Sequence, residues 1–116
     1  MKLSCRRVSG VAVIDVAGHM TGLDSPGQLK EQVTAALAAG EKNIVLNLKQ
    51  LSFVDSSFIG ELVSCTIAVT RAGGALKLAC VVRRVQELLY ITRLASIIES
   101  FDTEQAAVES FHKPAN

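Results

Sequence analysis

The apolar residues of this chain change period, and the change repeats along its length. From Asn43 to Leu48 the residues Ile44, Val45, Leu46 and Leu48 form a nearly continuous run of strand length. From Ile59 onward, Leu62, Val63, Thr66 and Val69 recur at helical spacing. A strand that is apolar all round needs cover on both faces. Helices with one apolar stripe can supply it, so the pattern predicts a layered α/β sheet.

The flanking segments extend the alternation. Leu3 to Val8 and Val11 to Ala17 are β-rich runs separated by Ser9-Gly10, a turn pair that predicts an opening hairpin. Gly18-His19-Met20-Thr21-Gly22 breaks that pattern. Ser25-Pro26-Gly27-Gln28 combines an N-cap, a proline at the first helical position and a Gln three residues on, ahead of Leu29, Val33 and Leu37, with Gly40 closing the helix. The helix that begins near Ile59 ends near Gly73-Gly74, and Ala75 to Val82 is a further strand. Val85, Leu88, Leu89 and Thr92 mark a third helix, and Ala95 to Phe101 gives a short last strand. Asp102-x-x-Gln105 is a capping box for a C-terminal helix. The expected order is ββαβαβαβα: a mixed β-sheet with an antiparallel start and about four α-helices.

Composition bounds what such a sheet can do. At 116 residues the chain has the size of one domain, expected to span 1–116. Apolar residues make up 49% and aromatic residues 4%, so the core must be largely aliphatic. Net charge is +1, and Arg6-Arg7 and Arg83-Arg84 are the adjacent basic pairs, so neither nucleic acid nor a membrane surface is an expected partner. No apolar run approaches the length of a membrane span, and the first residues lack a signal-peptide pattern, so the expected location is the cytoplasm. Cys5, Cys65 and Cys80 are an odd set without C-x-x-C spacing, which suits reduced packing thiols better than a disulfide frame or a zinc site.

Catalytic patterns are wanting. There is no Gly-rich phosphate loop followed by Lys-Ser/Thr, no G-x-G-x-x-G after a strand and no H-E-x-x-H, so no cofactor and no metal are expected. A nucleophile elbow needs glycine two residues to either side of the serine, whereas Ser57 is flanked by Asp55 and Ile59. His19 and His112 are the only histidines, one in a turn and one in the tail, so no enzyme is expected.

Asp55, Ser56 and Ser57 lie between the apolar run and the helix, and two readings stay open for them. In the first, Ser56 is the N-cap and Asp55 complements the positive helix end. In the second, Ser57 faces outward and accepts a phosphate, which free amides and the helix dipole favour at that position. At about 100° per residue, Ser57 falls with Glu61, Ser64 and Ala68 opposite the stripe. Glu61, one turn on, would oppose such a phosphate by a few tenths of a kcal/mol, against a dipole effect of similar size or larger. Phe58 sits at the edge of the stripe, either in the core or as an exposed contact anchor.

The stretch NIVLNLKQLSFVDSSFIGEL resembles the strand, short loop and Asp-Ser-Ser/Thr-Gly-Leu/Ile-Gly helix start of a STAS domain of the anti-sigma factor antagonist family. The resemblance covers nearly the whole chain. It implies that Ser57, the second hydroxyl residue, is phosphorylated by a partner that is both anti-sigma factor and serine kinase. The unmodified form would bind that kinase and free a sigma factor; phosphorylation would release the kinase until a serine phosphatase restores the hydroxyl. The output would be transcriptional without contact with DNA. The implied partner-binding residues are Asp55, Ser56, Ser57, Phe58, Gly60 and Glu61, with Thr21 in the Gly18-His19-Met20-Thr21 segment. Phe58 stands where the family has glycine, and Thr21 where it has aspartate. The expected state is a monomer or weak dimer. The alternative is a STAS interaction subunit of a signalling scaffold or transport complex, without phosphorylation. A small hydrolase using Ser57 has only an exposed hydroxyl in its favour.

Overall fold

The computed structural model describes residues 2–20 and 27–112. Strands β1 (Lys2–Val8) and β2 (Val11–Met20) form the opening hairpin, and its two turn residues, Ser9 at φ 50° and Gly10 at φ 80°, both occupy the left-handed region. A two-residue turn of that hand matches the twist of the flanking strands. There follow α1 (Gln28–Ala38), β3 (Asn43–Asn47), β4 (Leu51–Val54), α2 (Ser56–Arg71), β5 (Ala75–Ala79), α3 (Arg83–Ile91), a 3-10 turn (Leu94–Ser96), β6 (Ser100–Phe101) and α4 (Glu104–Ser110). The sheet order is β1-β2-β3-β5-β6, parallel after the hairpin.

Alternation along the central strands divides the core. Ala12, Ile14, Val16, Ile44, Leu46 and Leu78 pack with Leu29 and Val33 of α1, Phe58 and Leu62 of α2, and Val85 and Leu89 of α3. Val11, Val13, Val45 and Ala79 point the other way and meet Ala107 and Val108 of α4. β3 is therefore buried on both faces, as its unbroken apolar run requires.

Five details differ from expectation. The supposed loop before Asp55 contains β4, which pairs in parallel with the far half of β2, Gly18 opposite Leu51 and His19 opposite Phe53. The last strand has shrunk to two residues because the preceding stretch winds into the 3-10 turn behind Arg93, itself at φ 63°. The cap of α4 is Thr103, one residue beyond Asp102: its extended backbone sets the hydroxyl 3.0 Å from the Ala106 amide, from which it accepts a hydrogen bond. The first helix starts at Gln28 behind Gly27 at φ 73°, and the Ser25-Pro26 cap lies outside the described residues. Among the cysteines, Cys65 is buried and Cys80 half-buried, but Cys5 is exposed on β1 and is no packing residue.

One polar network ties the sheet to α4. The Arg6 guanidinium donates to both oxygens of Asp15, at 2.6 and 2.8 Å, and to both oxygens of Glu104. Asn47 Nδ2 adds a third donor to Glu104 at 2.9 Å. Hydrogen bonds from Arg6, and then from Asn47, hold the Glu104 carboxyl below the usual carboxylate range despite partial burial, and the Arg6 value is raised in turn.

Two predictions follow from packing and charge. Ala75 N donates to Lys42 O at 3.0 Å, and a Cβ at Gly74 would lie 1.9 Å from that same oxygen. Gly74→Ala is expected to destabilise by about 1–3 kcal/mol in denaturant unfolding, whereas Gly60→Ala, with nothing within 4 Å of its Cβ, should be neutral or stabilise by up to about 1 kcal/mol. Glu104 has a lower folded than unfolded value, so its contribution is complete above an unfolded carboxyl near about 4.3 and is lost as pH falls through the folded value. Glu104→Gln should flatten the fall in stability below that point, measured by unfolding at stepwise lower pH.

Candidate functional site at the start of α2

The backbone runs from β4 into α2 through Asp55, which is extended at φ −122°, ψ −175°. This conformation lets Asp55 Oδ1 accept a hydrogen bond from Ser57 N at 2.9 Å, while Phe58 N donates to Asp55 O at 3.1 Å. Asp55 is thus the N-cap. The expected cap, Ser56, is instead the first helical residue, because the carboxylate one position earlier already satisfies the open amide of Ser57. Ser56 and Ser57 are both exposed.

Phe58 decides the rotation of this first turn. Its ring is 1% exposed and is among the largest fully buried side chains, so Phe58 is a core residue and is withdrawn from the contact surface expected of it. The buried stripe is Phe58, Ile59, Leu62, Cys65 and Val69. Val63 and Thr66, expected in that stripe, are half-buried, and Thr66 Oγ1 donates back to Leu62 O at 2.9 Å. Ser57 lies about 100° round the helix from Phe58, hence outside the core.

The rest of the Ser57 side is not open. Glu61 Oε1 accepts a hydrogen bond from Lys30 N at 2.8 Å, and Lys30 Nζ donates to Ser64 Oγ at 2.5 Å. Lys30 is the third residue of α1, whose N-cap Gly27 offers no side-chain bond, so Glu61 caps α1 from the neighbouring helix. Ser57 projects one turn before that junction, and Gly60 is exposed beside it. Thr21 lies outside the described residues. Two turns beyond Ser57, burial and then the Glu61 charge push the Cys65 thiol up to about 12, so it stays protonated.

Residues 2–107 match the STAS domain family. The chain belongs to that family. Among curated proteins this STAS chain is 23% identical over 111 residues to BtrV of Bordetella bronchiseptica, named for anti-sigma factor antagonism, covering 96% of this chain and 95% of that one. The crystal structure of a Thermotoga maritima protein named for the same activity superposes with a TM-score of 0.87 at 22% identity, over 96% of this chain and 95% of that one. The Bacillus protein SpoIIAA in its phosphorylated form gives 0.74 at 20% identity, over 95% and 99% of the two chains. Unphosphorylated SpoIIAA gives 0.75 at 19%, over 97% and 100%.

Two surface features beside this site have no signal in sequence periodicity. Phe53 is 55% exposed on β4, its ring centroid 5.8 Å from that of His19. Lys30 reaches α2 from a distance of 31 residues along the chain. Only the Ser52-Phe53 pair, separated from Asp55 by Val54, hints at the first, and nothing in the sequence hints at the second. Among the described residues, no helix is long and apolar enough to cross a membrane.

Asp55→Ala removes the side-chain cap and should cost about 1 kcal/mol, within a range of roughly 0.5–2. Denaturant unfolding measures that loss, and amide exchange should quicken most at Ser57.

Proposed function

We propose that this STAS protein is an anti-sigma factor antagonist that acts by partner switching, with Ser57 as the phosphate acceptor. In this reading the unmodified surface around Asp55, Ser56, Ser57 and Gly60 binds an anti-sigma factor that is also a serine kinase, and a sigma factor is freed. Phosphate on Ser57 breaks the contact, and a serine phosphatase restores it. Glu61 contributes from its junction with α1, and Thr21 from the segment ahead of that helix. The protein acts in the cytoplasm as a regulator, not as a catalyst.

The observation that carries this reading is the exposed Ser57 hydroxyl in the first turn of a helix whose next residue is locked in the core. A kinase can reach such a hydroxyl without unfolding the helix. The product places about −1.5 to −2 charges near the positive helix end, which tolerates them, and within the contact surface, where hydration and charge oppose binding. SpoIIAA, with the same fold, exists in both phosphorylated and unphosphorylated forms.

Affinity capture from native cytoplasm with wild type and Ser57→Asp tests the switch. An acidic residue in the first turn should leave stability unchanged or raise it by about 0.3–1 kcal/mol, so lost binding will not reflect unfolding. The expected result is a kinase-like partner held by wild type and lost by Ser57→Asp. Equal capture by both baits would favour the constitutive interaction subunit.

A further inference from the structure

The edge of β4 opens onto a groove of about 410 Å³ lined by Leu51, Ser52, Phe53 and Val54 together with Val82 and Arg84 at the start of α3. Successive strand residues point to opposite faces, so a groove touching all four β4 residues runs along the strand's edge rather than over one face. Among the described residues β4 has one sheet neighbour, β2. Among the described residues no strand lies along its other edge, and an edge of that kind can take an added strand.

The lining describes the occupant. Leu51 and Val54 form an apolar floor at 7% and 3% exposure, and Phe53 stands exposed at the rim. Arg84 is exposed and makes no ion pair among the described residues, whereas its neighbour Arg83 reaches Glu87 at 3.4 Å. Among the described residues, no carboxylate lines the groove. Four residues of edge extend about 13 Å, the length of a short extended peptide.

We infer that this groove takes an extended segment of a partner protein, pairing with β4, with aliphatic side chains against Leu51, Val54 and Val82 and a carboxylate on Arg84. The inference deepens the partner-switching reading and takes from it that this end of the molecule is an interface. It also gives the phosphate something to repel. Ser57 follows Val54 by three residues, at most about 11 Å of chain, so its phosphate would act on an acidic segment over about one Debye length.

A random octapeptide library displayed on phage, selected on the full chain and on Arg84→Glu, tests the groove. Wild type should enrich peptides alternating aliphatic residues with Asp or Glu. Amide shifts on their binding should be confined to Ser52–Val54 and Val82–Val85, and Arg84→Glu should weaken them at least tenfold. Enrichment of basic peptides, shifts centred on Tyr90 to Ile97, self-association through β4 in place of peptide binding, no enrichment, or affinities that Arg84→Glu leaves unchanged would each overturn the proposal. Binding of the enriched peptides to Ser57→Asp separates the two readings. Loss at both positions supports the groove and the switch together, while loss at Arg84→Glu alone supports the groove and counts against the switch.

Discussion

Burial of the Phe58 ring beneath the first turn of α2 is the contact on which the geometry of the site depends. A helix entering from β4 has one free rotation about its own axis, and a side chain of this size held at 1% exposure removes it. Ser57 then has to point outward, Gly60 stays on the surface, and Glu61 turns toward α1. The phenylalanine after the serine thus does not stand beside it on the surface. It is the anchor below it.

Electrostatics builds on that anchor. Asp55 satisfies the Ser57 amide from its own N-cap position, and Glu61 satisfies the Lys30 amide of α1 from the neighbouring helix, so both helix starts receive a carboxylate. The two junctions share one helix, so a change of charge at Ser57 arises next to the cap of its own helix and one turn from the cap of its neighbour. On the α4 face of the sheet, Arg6, Asp15, Asn47 and Glu104 bind β1, β2 and β3 to α4 through hydrogen bonds between side chains.

Much of this was legible from the sequence wherever one segment carried its own signal. Ile44 to Leu46 announced a strand buried on both faces, and Ser9-Gly10 announced the hairpin. The stripe of α2 was legible to within a part-turn: Ile59, Leu62 and Val69 were correct, while Phe58 and Cys65 replaced Val63 and Thr66. What escaped depends on partners distant in the chain. β4 is a strand only because the tail of β2 lies beside it, and four residues without alternation do not reveal that. Glu61 read as a free surface carboxylate because its partner amide is 31 residues away, and the partner of Arg6 on α4 is 98 residues away. Ser56 lost the cap to Asp55 by one residue, a difference decided by backbone angles that composition does not encode.

The central claim is that Ser57 carries the chemistry of the switch. Its most direct measurement is the intact mass and fragment spectrum of the chain isolated from its native cells, under growth and under stress, with phosphatase activity quenched at lysis. The account predicts a fraction heavier by one phosphate, located on Ser57, whose proportion changes with condition. A chain without phosphate in every condition, or with phosphate on another residue while Ser57 remains bare, would contradict it.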